Sequence, residues 1–593
     1  MGLLAVLLHE ENLLFSEDHL QDIRKQSARM NHRGKGIFHH EREIVLLQHF
    51  HDETHRKPYH FSNGRYILAF DGIVTNLSQL HSLLSTEGFS FTDNTVEEII
   101  ANLYLYKKTK SFSLLEGSFV ILIWDKRDKV LLGARDRFGV KQLYYTESAV
   151  EVMLSSEKKS LLFPQYEEHM DDYAFHHYLD YGYIPEPHSI TKGIKQVKRG
   201  HYFIKKINEP IHFIRYDHCS FPKNRVGKGE YLTEGADRLY EAVSTRLNIR
   251  QKNSLLFQNS LSTLALGHVA KQYDENLTLL SIYNPKGRAT AETIAKELEI
   301  NHLFISVTSS QFMEKLPKII WLLDDPFANV EIVTNYFIGK YSNEQGLRGL
   351  MSDLGSEAVL GNYPVRNNVI SKIETLLPSF LRKGNESPID TAPLFSKTFK
   401  QKLLGRIVTV NHDQKRFIQE VQNEDSLIQR QYVDLNSDLP SNKIRIMEKL
   451  MAASNVTLLL PFLDEALFET MRYKSFDEKR KNAFLLSILS ERFSPQRIRS
   501  FMQEGDHESS LPIEQWLRTD CYEWAKNLMK ASNIDYILSK EKALKMLEEF
   551  KENEREPLEP LWTVFVFILW HLVYVDDFFS FRESKGSPIV TVK

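Results

Sequence analysis

The chain of 593 residues is 42% hydrophobic and 26% charged, and it has a formal net charge of −3. A chain this long exceeds one hydrophobic core, so roughly two to four domains are expected, and the composition excludes a largely disordered protein. The near-neutral charge argues against attraction to nucleic acid or to an anionic membrane, so small-molecule or protein partners are expected.

Cysteine is scarce, with Cys219 and Cys521 as the only two thiols. Two cysteines build neither a disulfide framework nor a four-cysteine metal site, which favours a reducing, cytoplasmic location. The apolar residues 3–8 have no basic leader or cleavage site and are not expected to be a secretory signal. Residues 561–575 are strongly apolar, but they are shorter than a bilayer span and include His571, so they predict a buried helix.

Residues 1–212 predict a first domain that mixes strands with a helix. Turn signals separate short β-rich runs at residues 3–8, 44–48, 66–70, 119–124, 130–134 and 152–155. Apolar residues at helical spacing predict a helix over residues 96–106. This mixture is typical of a layered α+β domain. A polar stretch at residues 217–229 follows, and residues 213–229 are predicted to be the linker.

Residues 230–593 predict a second domain. An amphipathic helix at 231–247 precedes strands at 254–257 and 277–283, which alternate with helices at 264–272 and 289–298. This alternation of strands and helices predicts a parallel sheet with helices on both faces. Beyond about residue 365 the pattern is mostly helical, with a polar loop predicted around residues 383–392.

Several long motifs occur in order along the whole chain. They are residues 32–34 (HRG), 134–145 (ARDRFGVKQLYY), 156–158 (SEK), 181–187 (YGYIPEP), 324–328 (DDPFA), 352–363 (SDLGSEAVLGNY) and 461–464 (PFLD). Together they resemble glutamine-hydrolysing asparagine synthetase, a class II glutamine amidotransferase joined to an ATP-dependent amide-forming domain. The resemblance implies an N-terminal-nucleophile-hydrolase sandwich of four layers, followed by an α/β PP-loop synthetase domain, of the adenine nucleotide alpha hydrolase-like type, with extra helices. It also implies amidation of aspartate with ATP, magnesium and glutamine.

The resemblance places the glutaminase nucleophile at position 2, where this chain has Gly2. Glycine offers no nucleophile and no thiol lies nearby in sequence, so glutaminase activity by the family mechanism is not expected. The family's glutamine-binding Asn-Gly-Glu turn aligns with Asp71, Gly72 and Ile73, and the aspartate that holds the substrate amino group aligns with Asn94. Since an amide donor and two carboxylates are replaced, the pocket is also expected to have lost its ligand.

The first nucleotide loop of the family, Ser-Gly-Gly-Leu-Asp-Ser-Ser, aligns with residues 258–264. Such a loop cradles pyrophosphate with backbone N–H groups, which requires a close approach of the backbone. Asn259 and Ser260 stand at the two glycines, so their side chains are expected to obstruct that approach. Ser262 replaces the metal-binding aspartate, which removes a fixed negative charge for the cation.

The second nucleotide loop aligns with residues 352–358. Leu354 stands at the catalytic glutamate and Glu357 at the metal-binding aspartate, so only Glu357 is left to bind a cation and no confident metal site is predicted. The aligned ATP site comprises the nucleoside-lining Leu256, Ile282 and Ser352, and the loop residues Gln258, Asn259, Ser260, Ser262, Thr263, Asp353 and Glu357.

Two further charged segments of the family are also replaced. Its Glu-Val-Arg aligns with residues 457–459, just before the retained PFLD motif. The family also has a lysine-containing loop before a motif that is present here at residues 512–517. This loop aligns with residues 501–508. That loop contains three acids and no lysine or arginine, so it would repel a triphosphate. Arg499 is the nearest cation.

Because the replacements fall on the chemistry while the fold motifs persist, the sequence favours a degenerate family member. We expect a regulatory or scaffold paralogue, as a homodimer or paired with an active homologue, in which binding of ATP and magnesium is doubtful. Two alternatives stay open: an amide-bond-forming enzyme of the β-lactam synthetase or lasso-peptide cyclase type without glutaminase, and a residual asparagine synthetase. The histidines show no metal-ligand motif, and Arg33 and residues 135–137 are predicted to form structural ion pairs.

Overall fold

The computed structural model describes residues 1–10, 13–51, 58–162, 170–222, 231–247, 251–282, 285–363, 395, 397–405, 414–473, 482–503, 511–584 and 587–592. Two antiparallel sheets, one parallel sheet and one hairpin lie within these ranges. The polar loop predicted at residues 383–392 and residues 223–229 of the predicted linker lie outside the described residues, as do residues 504–508 of the aligned lysine loop.

The first domain is built around two six-stranded antiparallel sheets, in the orders β10-β8-β9-β1-β3-β2 and β12-β11-β7-β6-β5-β4. The strands are β1 (Gly2–Leu8), β2 (Lys35–His40), β3 (Ile44–Phe50), β4 (Tyr59–Phe61), β5 (Tyr66–Val74), β6 (Gly117–Asp125), β7 (Val130–Arg135), β8 (Tyr144–Glu147), β9 (Glu151–Ser155), β10 (Lys195–Gln196), β11 (His201–Lys206) and β12 (His212–Arg215). The helices are α1 (Glu17–Ala28), α2 (Leu77–Thr86), α3 (Val96–Lys107) and α4 (Asp172–Tyr181).

The alternation of side chains along β1 produces the layers of this domain. Leu3, Ala5 and Leu7 point to one face and share a buried cluster with residues of β5 and β6, so the two sheets pack face to face. Leu4 and Val6 point to the other face and pack against α1. The outer face of the second sheet packs in turn against α2 and α3. The order is helix, sheet, sheet, helix, which confirms the predicted four-layer sandwich.

Each of the predicted strands of this domain falls within an observed strand, and the predicted helix at 96–106 is α3. The sequence missed β2, β4, β8 and β10–β12. Several of these are short, or lie at sheet edges and expose much of their length, as β2 and β12 do, so they lack an apolar pattern. Strand β12 pairs with β11 and extends past residue 212, so residues 213–215 lie in the sheet rather than in a linker.

The second domain contains a five-stranded parallel sheet, in the order β15-β14-β13-β16-β17, as the alternating pattern predicts. Its strands are β13 (Asn253–Leu256), β14 (Thr278–Ile282), β15 (Asn301–Ile305), β16 (Gly349–Met351) and β17 (Thr457–Leu459), followed by the hairpin of β18 (Phe579–Ser584) and β19 (Ser587–Val592). The sequence pattern indicated β13 and β14, but it did not indicate β15, β16, β17 or this hairpin.

Helices surround the parallel sheet and dominate the rest of the domain. They are α5 (Tyr231–Arg246), α6 (Leu261–Lys271), α7 (Pro285–Leu298), α8 (Ser309–Leu323), α9 (Glu331–Glu344), α10 (Ser356–Leu360), α11 (Lys397–Leu404), α12 (Gln414–Glu420), α13 (Ser426–Val433), α14 (Ile444–Ala453), α15 (Glu465–Arg472), α16 (Ala483–Leu489), α17 (Pro495–Gln503), α18 (Ile513–Arg518), α19 (Tyr522–Ala531), α20 (Lys540–Glu552) and α21 (Leu558–Tyr574), with a π-helix at Asp434–Lys443 between α13 and α14.

The apolar segment near the C-terminal end forms α21, which is buried along most of its length. Two hydrogen bonds fix its position: Trp570 Nε1 donates to the Asp324 carbonyl at 2.9 Å, and the Tyr178 hydroxyl donates to the Thr563 carbonyl at 2.8 Å. The predicted buried helix is therefore confirmed. In the part of the chain that the structure describes, no helix is long and apolar enough to cross a membrane.

A buried ionic network joins the two domains. Glu157 accepts hydrogen bonds from Lys449 at 2.7 Å and Lys159 at 2.6 Å, and Lys449 also reaches Asp324 at 2.6 Å. The Arg33 guanidinium binds the other oxygen of Glu157. Burial favours the neutral carboxyl, but these cations outweigh it and hold the pKa of Glu157 well below its usual range. The network is therefore charged and compensated within the protein.

Replacing Lys449 by methionine is expected to lower the free energy of unfolding by about 3–5 kcal/mol, because it leaves two buried carboxylates short of a cation. Denaturant unfolding followed by tryptophan fluorescence measures this loss. The matched control is Lys545→Met, which breaks the exposed pair with Glu549 and should change stability by less than about 1 kcal/mol. Equal shifts for both variants would contradict a stabilising role for the network.

A second contact between the domains is made by a carboxyl group that is neutral rather than ionised. Glu465 begins α15, and its Oε1 accepts a hydrogen bond from the Gly117 N–H at 3.0 Å. Its Oε2 has no hydrogen-bond partner among the described residues. Burial, together with the neighbouring Asp464 carboxylate, raises the pKa of Glu465 to about 8. The carboxyl is therefore mostly protonated at neutral pH.

Replacing Glu465 by glutamine is expected to stabilise the protein at pH 8 by about 2–4 kcal/mol and to change little near pH 4.5. The unfolded carboxyl releases its proton near pH 4.5, while the folded one holds it to about pH 8, so wild-type stability falls across that range. Glutamine keeps the acceptor oxygen and removes the ionisable group. Unfolding curves at both pH values provide the measurement, and an equal gain at both would refute the assignment.

Candidate functional site

The position assigned to the glutaminase nucleophile is filled by neighbouring side chains. Gly2 lies in β1, and a Cβ added to it would lie 2.7 Å from Arg33 Cδ and 2.9 Å from Met30 Cε. Arg33 is 1% exposed and is held by Glu157 and by the Met1 carbonyl at 2.9 Å, so it cannot easily move aside. A side chain at position 2 would need the surrounding packing to change.

The first residue of the aligned glutamine pocket, Asp71, lies in the same ionic network. Its carboxylate is 3.1 Å from Lys141 Nζ, which also binds Glu448 at 3.1 Å. Arg33 approaches Glu448 from the other side, at 3.4 Å. Burial opposes ionisation, but the Lys141 ammonium and the Arg33 guanidinium outweigh it and hold the pKa of Asp71 at about 2. Lys141 and Glu448 were not identified from the sequence.

The other two residues of the turn have structural surroundings. Gly72 has φ +150°, and a Cβ there would lie 2.1 Å from the Ser118 carbonyl, so only glycine permits the close approach of β5 and β6. Ile73 borders a cavity of about 20 Å³ lined also by Leu460, which is room for about one water. The structure thus keeps Asp71, Gly72 and Ile73 together, at the boundary of the two domains.

Asn94 lies apart from this group, in the exposed loop before α3. Its side-chain oxygen is 3.1 Å from His81 Nε2, and its backbone N–H donates to Glu98 at 2.8 Å. Its φ of +53° is a left-handed conformation that asparagine adopts readily. These contacts shape the start of α3 and do not connect Asn94 to Asp71.

The two aligned nucleotide loops meet at the carboxyl end of the parallel sheet. They follow β13 and β16, which are neighbours in the sheet. Ser260 is the N-cap of α6, and its hydroxyl accepts a hydrogen bond from the Thr263 N–H at 2.9 Å. The carboxylate of Asp353, from the second loop, accepts hydrogen bonds from both hydroxyls: 2.5 Å from Ser260 Oγ and 3.0 Å from Thr263 Oγ1.

Asp353 therefore places an acidic group at the N-terminus of α6. This end of a helix carries partial positive charge and unpaired N–H groups, which favour an anion. Burial raises the pKa of Asp353 to about 6, while hydrogen bonds from Ser260 and Thr263 oppose the rise. The side chain is thus mainly a carboxylate at neutral pH. It supplies, from within the chain, the negative charge that a bound phosphate would bring to this position.

The remaining aligned positions have packing or hydrogen-bonding roles. Ser262 is buried, and its hydroxyl accepts a hydrogen bond from Asn362 Nδ2 at 2.9 Å. Leu354 packs against the hydrophobic core, and Glu357 is half-buried on α10. The buried members are Leu256, Ser262, Thr263, Ile282, Ser352 and Asp353, whereas Gln258 is exposed and Asn259 is intermediate.

The residues present do not fit a magnesium triphosphate. The Asp353 carboxylate lies where phosphate would approach α6, and Ser262 offers no charge to the cation. In the described ranges, no three His, Cys, Asp or Glu side chains are grouped to hold a metal ion. Arg499 is exposed on α17, and Asp464 of the retained PFLD motif caps α15 and pairs with Arg246 at 2.8 Å. These contacts cap α15 and join it to α5.

The charged motifs of the first domain also have structural roles, as predicted. Arg135 donates to Glu186 at 2.7 Å and to surrounding carbonyls, so its guanidinium is fully used inside the sandwich. Arg137 binds Glu469 of the second domain at 2.6 Å. The motif at residues 134–145, which is one of those that carry the family resemblance, therefore contributes to the contact between the domains.

Comparison with known proteins agrees with this architecture. A glutamine amidotransferase domain model matches residues 11–216, and an asparagine synthase model matches residues 264–572. Asparagine synthetase (glutamine-hydrolyzing) 1 of Bacillus subtilis is 24% identical over 627 aligned residues, which cover 98% of each chain. A putative asparagine synthetase (glutamine-hydrolyzing) of Mycobacterium tuberculosis is 23% identical over 578 residues, 90% of this chain and 88% of its own.

Among solved structures, a glutamine phosphoribosylpyrophosphate amidotransferase from B. subtilis complexed with ADP and GMP is 14% identical. It covers 71% of this chain and 89% of its own, with a TM-score of 0.28 that is too low to support an argument. The two domain models, in contrast, match the two observed domains in order, and the asparagine synthase model spans more than half of the residues. This chain belongs to the glutamine-hydrolysing asparagine synthetase family.

Proposed function

We propose that this chain is a non-catalytic member of the family, a regulatory or scaffold paralogue that neither hydrolyses glutamine nor forms an acyl adenylate. The observation that carries the proposal is the Asp353 carboxylate at the N-terminus of α6, bound by Ser260 and Thr263. A phosphate at this position would face a fixed negative charge. Two unit charges 4 Å apart repel by about 4 kcal/mol at an effective dielectric constant of 20.

The glutaminase side supports the same proposal. Gly2 offers no nucleophile, and the space beside it is taken by Arg33 and Met30. The Asp71 carboxylate, in the aligned glutamine-binding turn, is already paired with Lys141. The two centres thus share one property. At each of them, side chains of the protein contact the positions where the family would bind its substrate.

The retained two-domain fold supports a role in assembly. We propose that the chain acts as a homodimer or by pairing with an active homologue. Analytical ultracentrifugation of the purified chain, alone and mixed with an active asparagine synthetase, tests both forms.

The two enzymatic alternatives are an enzyme of the β-lactam synthetase or lasso-peptide cyclase type and a residual asparagine synthetase. Both require a phosphate loop that accepts ATP, and the Asp353 contact disfavours both.

The protein is expected to bind magnesium-ATP weakly, and Asp353→Asn is expected to bind it about tenfold or more tightly. Asparagine keeps an oxygen for Ser260 and Thr263 but removes the charge, which relieves at least ~1.4 kcal/mol of repulsion. Calorimetric titration, with and without aspartate, measures both affinities. The control is Glu549→Gln, which removes an exposed carboxylate on α20, and its affinity should change by less than about threefold.

A pyrophosphate-release assay then tests turnover directly. Neither the wild type nor the variants should release pyrophosphate from ATP with aspartate as the acid substrate, since binding alone does not restore the missing charges. Release by the wild-type protein, or isolation of an acyl-AMP, would overturn the proposed function.

Incubation of the protein with glutamine should yield no ammonia above background. The Gly2→Cys substitution should not restore glutamine hydrolysis. The new side chain would meet Arg33 and Met30 below 3 Å, and Asp71 would remain paired with Lys141. A coupled glutamate dehydrogenase assay measures ammonia, and thermal melting shows whether the variant still folds. Ammonia production by the folded wild-type protein contradicts the prediction.

A further inference from the structure

Three side chains far from both aligned sites form a hydrogen-bonded series. The Tyr536 hydroxyl lies 2.8 Å from His571 Nε2, and His571 Nδ1 lies 3.0 Å from Asp576 Oδ2. Tyr536 ends a short 3₁₀ helix and is 72% exposed, whereas His571 is fully buried in the last turn of α21. An accessible hydroxyl is thus held by a buried imidazole, which is held in turn by a carboxylate.

Further hydrogen bonds fix the carboxylate. Asp576 accepts from the Asn533 backbone N–H at 3.1 Å, from Asn533 Nδ2 at 3.2 Å and from Ser532 Oγ at 3.3 Å. The backbone N–H of Asp576 also donates to the His571 carbonyl at 2.9 Å. Asp576 is therefore positioned by Asn533, by Ser532 and by its own backbone, and not only by the imidazole.

This arrangement determines where the protons lie. A carboxylate only accepts, so the network assigns the His571 proton to Nδ1 and leaves the Nε2 lone pair to accept from Tyr536. Burial lowers the pKa of His571, although Asp576 opposes this, so the imidazole is neutral at physiological pH. Partial burial raises the pKa of Tyr536, so the phenol keeps its proton until it reacts. The pair is a neutral base beside a protonated hydroxyl.

We propose that Tyr536 is a nucleophilic acceptor site for acyl groups, with His571 as general base and Asp576 as the positioning residue. A nucleophile within hydrogen-bond reach of a base that a third group orients is the geometric requirement for such activation. The phenolic oxygen forms a bond to the acyl carbon, and the bond to the leaving group breaks with its electron pair. The proton passes to His571 Nε2 and from there to the leaving group, and the product is an aryl ester on Tyr536.

The surrounding charges favour an uncharged acyl donor over a phosphoryl donor. Asp535 precedes Tyr536 in sequence and is paired with the Lys540 ammonium at 3.2 Å, and Lys540 also donates to the Ser532 carbonyl at 2.9 Å. The Asp576 carboxylate is bound to the neutral His571 imidazole, so its negative charge acts on the Tyr536 hydroxyl. An anionic donor would be repelled by the Asp576 carboxylate, whereas a neutral ester, thioester or acylimidazole meets no such repulsion.

Acetylation by N-acetylimidazole tests the proposal on the full-length protein. Tyr273 and Tyr473 are internal references, since they are 43% and 40% exposed and, within the described ranges, their hydroxyls form no hydrogen bond to a histidine. Peptide mass spectrometry follows acetylation of each tyrosine with time. Tyr536 is expected to react at least about tenfold faster than either reference, which is a modest part of the range that general bases provide. Reaction no faster than the references would overturn the proposal.

Two variants separate activation from mere exposure. His571→Gln keeps an acceptor near the hydroxyl but removes the base, and Asp576→Asn keeps the shape but removes the charge that orients the imidazole. In each variant the rate of Tyr536 should fall to that of the references, while Tyr273 and Tyr473 react as before. Thermal melting identifies a misfolded variant, in which case the other variant decides. An unchanged Tyr536 rate in a folded variant refutes the assigned roles, and Tyr536→Phe confirms the modified peptide.

Discussion

The buried ion pairs of Glu157, Lys449 and Asp324 constrain the rest of the structure. Glu157 belongs to the first domain and the other two residues to the second, so each domain buries charges that the other helps to compensate. Separating the domains would remove some of the partners of these charges, which is strongly unfavourable in a low-dielectric interior. The two domains are therefore one electrostatic unit as well as two packed cores.

The same network explains the state of the glutaminase centre. Glu157 holds the Arg33 guanidinium, and Arg33 in turn occupies the space beside Gly2. Lys141 joins Asp71 to Glu448 of the second domain. The contact between the domains thus includes a residue of the aligned glutamine pocket. At the other centre, the Asp353 carboxylate is likewise bound by side chains of the protein, Ser260 and Thr263.

Much of the fold was readable from the sequence because its signals are local. The buried strands, the alternation of strand and helix in the second domain and the apolar α21 each depend on residues a few positions apart. The exposed edge strands β2 and β12 were missed because their stability comes from pairing, which leaves little apolar pattern. The aligned site positions came from motifs, and the structure brings them together in two groups, except that Asn94 lies in a separate loop.

The hydrogen bonds and ion pairs within the two aligned sites could not be predicted from local sequence patterns. Ser260 and Asp353 are 93 residues apart, and Lys141 and Glu448 are 307 residues apart. A serine for a glycine indicates loss of a phosphate loop, but nothing nearby indicates that its hydroxyl binds a carboxylate from another loop. Likewise Tyr536 and His571 are 35 residues apart, and only the packing of α21 brings them together.

The ionic network also has a consequence for biosynthesis. Glu157 and Lys449 are 292 residues apart, so when the first domain leaves the ribosome, Glu157 has only cations of its own domain as partners until α14 has been synthesised. The surface that later becomes interior is polar during this interval, which disfavours premature association with other nascent chains. Completion of the fold is thereby coupled to translation of the second half of the message.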